Sequence, residues 1–170
     1  MTSNSSNKIG HVAIIMDGNS RWARQRNLKT IEGHKQGVNR LRDIVKYSAK
    51  SEITHLSVFA FSTENWKRSA SDVSDLMKLF LQSIIKEVPE LIENKVQLNF
   101  IGDIPRFSKS LVSQINSAMK DTQAKKPNLN LNVAISYGGR WDILNAIKRI
   151  KGVSYRHLRA HETMSNLGWR

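Results

Sequence analysis

The stretch His11-Val12-Ala13-Ile14-Ile15-Met16-Asp17-Gly18-Asn19-Ser20-Arg21-Trp22 limits the possible folds of this chain more than any other. Its apolar, β-branched half reads as a buried strand. The acid, glycine and amide that follow read as an abrupt turn toward a helix N-terminus. In an open α/β sheet, the carboxyl end of such a strand is where ligands bind. The turn carries one carboxylate able to hold a divalent cation, backbone N–H groups freed by Gly18, and in Arg21 a fork matched to phosphate oxygens. Together they predict a magnesium-diphosphate site. Taken alone, Asp-Gly-Asn serves as readily for a plain turn, and Asp17 for a helix cap.

A chain of 170 residues suits one domain with a substantial core. It has no cysteine, which excludes disulfides and thiolate metal sites, and its first eight residues are polar and unlike a signal peptide. No apolar run approaches the roughly 20 residues needed to span a bilayer. A cytoplasmic protein that touches membranes only peripherally is expected. The net charge of +13 favours anionic partners: diphosphates, anionic headgroups or nucleic acid. The basic residues are spread along the chain without a polybasic block, zinc pattern or RNA-binding aromatic strand, so no nucleic-acid partner is expected.

Short runs rich in Val, Ile, Leu and Phe predict strands over 12–16, 56–61, 96–101 and 129–135. Helical spacing of Val38, Leu41, Val45 and Ser48 predicts a helix over 32–50. The broad apolar arc from Val73 through Leu76, Phe80 and Ile84 to Val88 predicts another over 71–92. Further helices are expected over 108–124 and 140–150. Alternation of this kind predicts an α/β fold: a mostly parallel central sheet flanked by helices.

A second cluster, Ser57-Val58-Phe59-Ala60-Phe61-Ser62-Thr63-Glu64-Asn65-Trp66-Lys67-Arg68, lies where the next strand should end. Parallel strands share one C-terminal edge, so this loop and the Asp17 turn are expected to converge. A third turn, Ser136-Tyr137-Gly138-Gly139-Arg140-Trp141-Asp142, follows the last strand, with a backbone suited to phosphate.

These three segments, with Glu32-Gly33-His34-Lys35-Gln36-Gly37 and Ile101-Gly102-Asp103, closely resemble the motifs of the cis-prenyltransferase family, in the family's order. The family includes undecaprenyl diphosphate synthase. The resemblance covers a domain over 9–150, preceded by a polar tail over 1–8. It implies Mg²⁺-dependent condensation of isopentenyl diphosphate onto an allylic diphosphate, usually farnesyl diphosphate, to give a Z-polyprenyl diphosphate that passes to the membrane. It further implies a homodimer. By the same resemblance Asp17 holds Mg²⁺ and acts on the allylic diphosphate, while the Gly18, Asn19, Ser20 and Arg21 backbone and the Arg21 side chain cradle phosphates, and Trp22 is a substrate-binding residue. His34 matches a phosphate-binding histidine. Asn65 matches the residue assigned to proton removal, although an amide is a poor base and better suited to orienting a water, the substrate or a diphosphate oxygen. Ser62, Thr63, Glu64, Trp66 and Arg68 complete the substrate loop, with Trp66 offering an apolar face to the prenyl chain. Asp72 stands where relatives carry glutamate, and Thr30, beside Lys29, where they carry arginine.

Each residue also has a plainer reading. Trp22, Trp66 and Trp141 serve by default as packing residues, His34 as a surface helix residue, and Arg68 and Arg140 as solvated loop charges. Leu76, Phe80 and Ile84 would look the same in sequence as core or as tunnel wall.

Beyond Arg149-Ile150 the motifs end. Relatives continue with an Arg-x-x-Gly-Glu-x-Arg-x-Ser-Asn-Phe motif, a second metal-binding glutamate and a Trp-Pro-Asp-Phe-like segment. These hold isopentenyl diphosphate and build much of the dimer interface. Residues 151–170 are expected to form a non-matching, disordered tail, as a truncated or frameshifted frame would give. The fold is then C-terminally incomplete, its dimer interface is incomplete with it, and the isolated chain is expected to be poorly stable. Three functions follow: a cis-prenyltransferase, a diphosphate-binding subunit whose site a partner completes, or a basic nucleic-acid module.

Overall fold

A computed structural model describes residues 9–151, which fall into two compact units, one ending at Tyr137 and the other beginning at Gly138. The expectations for 1–8 and for the tail after residue 151 lie outside the described residues.

The first unit carries four strands: β1 (His11–Ile15), β2 (His55–Ser62), β3 (Val96–Ile101) and β4 (Leu129–Tyr137). All pair in parallel, in the order β1-β2-β4-β3. Between them run α1 (Asn19–Arg24), α2 (Thr30–Ala49), α3 (Ala70–Glu93) and α4 (Lys109–Asp121), with 3-10 turns at Thr63–Lys67 and Ile104–Arg106. The sequence predicts β3 to the residue and the other strands and longer helices to within three residues. It does not predict α1, whose six residues are too few for a visible period.

Register divides the sheet into two unlike faces. Val12, Leu56, Leu131 and Leu98 form one cross-strand row, followed by Ile14, Val58, Val133 and Phe100. These rows pack against Val45 of α2, Leu76 and Ile84 of α3, and Leu111 and Ile115 of α4 in a single core. Each fully buried aliphatic side chain there contributes about 1.5–3 kcal/mol over its exposed state. The alternate row is Ala13, Ser57, Asn132 and Asn99. It is tied by hydrogen bonds from Asn132 to Ser57 (3.4 Å) and from Asn99 to Asn132 (3.2 Å), and His11 Nε2 lies 2.8 Å from Ser57 Oγ. The expectation of a buried first strand is corrected here: among the described residues β1 lies at the edge of the sheet, and Ile15 on the alternate face is 78% exposed.

Near the end of β2 a bulge breaks strict alternation, since Phe59 pairs with Ala134 but Phe61 pairs with Ile135. The extra residue turns Phe61 into the core beside Val58 and re-aims the chain into the 63–67 turn.

In the second unit α5 (Gly139–Lys151) follows Gly138, whose carbonyl accepts from the Asp142 N–H at 2.9 Å. Its Ile143, Leu144, Ile147 and Ile150 are exposed. Among the described residues no helix is long and apolar enough to cross a membrane.

Candidate functional site

Where β1 stops, Gly18 takes φ = 89°, a left-handed conformation that costs an L side chain about 1–2 kcal/mol. The turn folds Asp17 back on itself. Its Oδ1 accepts from the Gly18 N–H at 2.6 Å and its Oδ2 from Arg21 Nη2 at 2.8 Å. The Gly18 N–H is therefore engaged by the preceding carboxylate, which corrects the expectation that glycine frees it for phosphate. The two hydrogen bonds and the Arg21 charge hold the Asp17 carboxyl below its ordinary pKa, so it is ionised at neutral pH. With side chains 67% and 75% exposed, the Arg21–Asp17 pair is a surface pair that opens at little cost.

Asn19 and α1 are pinned to α2 by a close approach. A Cβ built on Gly33 would fall 2.0 Å from the Asn19 carbonyl oxygen, and one on Gly37 would fall 2.7 Å from its Oδ1. This contact gives the Glu32 to Gly37 motif a physical reason. It also places His34, the next residue on α2, with its Nε2 3.5 Å from Ser20 Oγ. Burial, then the positive charge of Arg68, lowers the His34 pKa from 6.5, with Asp72 acting weakly the other way. The imidazole is therefore neutral at neutral pH. The Arg68 backbone N–H donates to the Asn65 carbonyl at 3.2 Å, but its guanidinium has no hydrogen bond or ion pair among the described residues.

After β2 the chain makes a capping box. The Ser62 side chain accepts from the Asn65 N–H, while Asn65 Oδ1 accepts from the Ser62 N–H at 2.8 Å. With its oxygen so committed, Asn65 offers its NH₂ donors, as an orienting residue would and a base would not.

Asp17, Asn19, His34, Ser62, Asn65 and Arg68 all line the mouth of one cavity of about 330 Å³. The two loops thus converge as expected. Below the mouth the wall is apolar: Val38, Leu41 and Val45 from α2, Leu76, Phe80 and Ile84 from α3, and Leu98, Leu131 and Val133 from the sheet. At the far end it turns polar again, with Arg42, Lys46, Glu87, Glu90 and Asn94.

Other predicted residues lie off the cavity wall. Trp66 is a packing residue, which corrects the expectation that it faces a prenyl chain. Its ring stands edge-on to Phe61 at 5.2 Å and tilted to Phe107 at 5.3 Å, Arg106 lies 4.7 Å from its centroid, and its Nε1 donates to Ser136 at 3.0 Å. Trp22 is half-buried under the Arg26 guanidinium. Thr63 and Glu64 sit in the 3-10 turn, and Gly18, Ser20 and Arg21 surround the mouth without lining it. Of the third glycine turn, Ser136 and Tyr137 belong to the first unit and the rest to the second. The far-end charges were missed from sequence, although Arg42 and Lys46 one turn apart, facing Glu87 and Glu90, interrupt two apolar helix faces.

Among the described residues no three acidic or histidine side chains gather to hold a metal. Mg²⁺ needs no such cage, because it is commonly bound by one or two carboxylates together with substrate phosphates and water. An exposed, ionised Asp17 fits that donor set.

The profile of the family described as "Putative undecaprenyl diphosphate synthase" matches residues 15–167. The chain is 47% identical over 146 residues to an isoprenyl transferase of Neisseria gonorrhoeae, covering 85% of this chain and 58% of that protein. It is 43% identical over 154 residues to a farnesyl-diphosphate-specific ditrans,polycis-undecaprenyl-diphosphate synthase of Wigglesworthia glossinidia brevipalpis, covering 88% and 59%. The chain thus spans less than two thirds of these relatives. Among solved structures, lavandulyl diphosphate synthase from Lavandula x intermedia, in complex with dimethylallyl diphosphate, superposes with a TM-score of 0.80 at 34% identity, covering 84% of this chain and 61% of that one. A "probable undecaprenyl diphosphate synthase" from Campylobacter jejuni does so with a TM-score of 0.70 at 30% identity, covering 86% and 63%. Matched over most of its length by the family profile and nearly half identical to an isoprenyl transferase, the chain belongs to the cis-prenyltransferase family, that of undecaprenyl diphosphate synthase.

Proposed function

We propose that this chain binds an allylic diphosphate, with its headgroup at the cavity mouth and its isoprenoid tail between α2, α3 and the sheet, and transfers the prenyl group to isopentenyl diphosphate. The observation that carries this reading is a single cavity with an apolar wall whose mouth brings together Asp17, His34, Asn65 and an unpaired Arg68. Apolar burial holds the tail, and the fixed donors hold the phosphates.

Departure of the diphosphate requires charge to be stabilised on its oxygens as the carbon–oxygen bond lengthens. Arg68 stands ready for this with no protein carboxylate to leave. Arg21 reaches a phosphate by exchanging one exposed anion, Asp17, for another. Neutral His34 donates a hydrogen bond from its ring, and the Asn65 NH₂ group orients the substrate or a diphosphate oxygen that accepts the proton lost on condensation. Mg²⁺, held by Asp17 together with diphosphate oxygens and water, would supply further charge neutralisation. Farnesyl diphosphate is the proposed allylic substrate, consistent with the specificity in the names of several relatives. A homodimer in the cytoplasm that passes its polyprenyl product to the membrane completes the proposal. A diphosphate-binding subunit whose site a partner completes is the second reading.

Incubation with farnesyl diphosphate, labelled isopentenyl diphosphate and Mg²⁺ should give extractable labelled polyprenyl product. Chelator should abolish it, and Asp17→Ala should reduce it by at least about a hundredfold, the scale of losing one preorganised charge-stabilising group. Binding of farnesyl diphosphate without product, with turnover restored by a full-length relative, would establish the second reading instead.

A further inference from the structure

The edge of the sheet opposite the cavity mouth carries a pair of histidines that the transfer reaction does not use. His11 opens β1 and His55 opens β2, and the parallel register sets them side by side on the exposed alternate face. Their ring centroids lie 5.8 Å apart, with the planes tilted by 56°. Each ring is held by a hydroxyl at one nitrogen only. Thr54 Oγ1 gives its one proton to the Gly10 carbonyl at 2.9 Å, so toward His55 Nδ1, 3.0 Å away, it can only accept. His55 therefore carries its proton on Nδ1 and leaves the Nε2 lone pair without a partner among the described residues. At His11 the held nitrogen is Nε2, 2.8 Å from Ser57 Oγ, an oxygen that also takes a hydrogen bond from Asn132 Nδ2 at 3.4 Å. A serine oxygen can accept two such bonds, which leaves Nδ1 as the open position of the His11 ring.

We propose that His11 and His55 form a site for a divalent transition-metal cation of the zinc, nickel or copper kind, separate from the Mg²⁺ site at Asp17. Imidazole nitrogen suits such ions, whereas Mg²⁺ prefers hard oxygen donors. Two imidazoles on one ion, each bonded at about 2.0–2.1 Å, bring their ring centroids to roughly 5 Å, so a small side-chain rotation closes the pair on the ion without moving the strands. A hydrogen bond from the second ring nitrogen to a fixed oxygen is the usual support of a histidine ligand, and both rings have such an oxygen in place. Water completes the coordination, because no third histidine or acid joins the pair among the described residues. The ion ties β1, at the edge of the described sheet, to β2 at the strand starts, roughly 13 Å from Ile15 at about 3.3 Å per residue. Since β1 runs on into the Asp17 turn, a clip at its start steadies the strand on which the mouth is built.

The test uses the full chain with no added histidines, titrated with ZnCl₂ alone at neutral pH and followed by calorimetry and thermal unfolding. At free Zn²⁺ a hundredfold above the dissociation constant, the unfolding midpoint should rise by about 5–10 °C. His11→Gln and His55→Gln should each weaken Zn²⁺ binding by at least about tenfold and remove most of that rise. Asp17→Ala and His34→Gln should keep it, and MgCl₂ at the same concentration should not produce it. A second measurement needs no variant: substoichiometric Cu²⁺ should broaden the carbon-bound ring protons of His11 and His55 before those of the remaining histidines. No Zn²⁺ binding, a rise that survives both histidine variants or is lost in only one of them, or broadening that falls first on other histidines would overturn the proposal.

Discussion

At the mouth of the cavity Arg68 has no ion-pair partner among the described residues and Arg21 holds Asp17 in an exposed pair, whereas at the far end Arg42 and Lys46 are each matched by a glutamate. The same residue types thus serve opposite ends. A guanidinium without a carboxylate is a standing demand for an anion, and one bound at two points to a half-buried carboxylate has no such demand. The difference teaches that net charge, +13 over the chain, says less about ligand placement than the local ratio of cations to carboxylates.

The largest expected effect that sharpens this contrast comes from Arg68→Ala. Charge-assisted hydrogen bonds are worth about 1.5–3 kcal/mol, so affinity for an alkyl diphosphate should fall by roughly 10- to 150-fold. Affinity for the matching alkanol should not change. An equal loss for both ligands, read by calorimetry, would show that Arg68 supports the cavity rather than binding its ligand, and the contrast between the two ends would fail.

Next in size is Gly33→Ala. The new Cβ would meet the Asn19 carbonyl at 2.0 Å, a backbone group that cannot rotate away. Overpacking of this kind costs about 1–3 kcal/mol or more. Greater helix propensity returns up to about 1 kcal/mol. Thermal unfolding should therefore shift down by several degrees, at about 2–4 °C per kcal/mol for a chain of this size. Because the strain falls at the mouth, alkyl diphosphate binding should weaken while the Arg42–Glu87 and Lys46–Glu90 pairs at the far end stay in place. An equal loss of affinity for the matching alkanol would mean that the strain reaches the apolar wall and that the two ends are mechanically coupled.

Much of this arrangement was legible in the residues. The alternation of apolar strands and periodic helices gave the sheet and its flanking helices, and the Asp-Gly-Asn and Ser62 to Arg68 segments marked the two loops that meet. What escaped has physical reasons. α1 is too short to show a period, and it is held by Gly33 and Gly37, whose closeness to Asn19 exists only in three dimensions. In β4 the alternation of Leu129, Leu131 and Val133 with Asn130 and Asn132 encodes one apolar and one polar face, which its richness in apolar residues alone does not show. The bulge after Phe59 changes which face Phe61 meets, and no residue type announces it. Trp66 could line a cavity or fill a core by its chemistry alone. Its contacts with Phe107 and Ser136, distant in sequence, decide the matter.

The smallest effect expected is a dependence on pH, and it carries opposite signs for stability and for binding. In the folded chain burial and the charge of Arg68 depress the His34 pKa below 6.5, so between that lowered value and 6.5 the unfolded chain holds more protons than the folded one. Stability from this group is complete above 6.5 and declines as pH falls toward the depressed value. A bound diphosphate reverses the preference at the same ring, because its negative charge favours the imidazolium. Alkyl diphosphate affinity should therefore rise over the window in which the free protein loses stability, with a proton taken up on binding. Calorimetry in buffers of different ionisation enthalpy measures that proton directly. His34→Gln should flatten both slopes. Arg68→Ala should move the His34 titration upward by removing the larger of its two charge interactions, a shift that carbon-bound imidazole proton resonances report. If His34 titrates at the same pH in the wild type and in Arg68→Ala, the two groups do not share the mouth, and the unpaired cation that distinguishes one end of the cavity from the other is facing elsewhere.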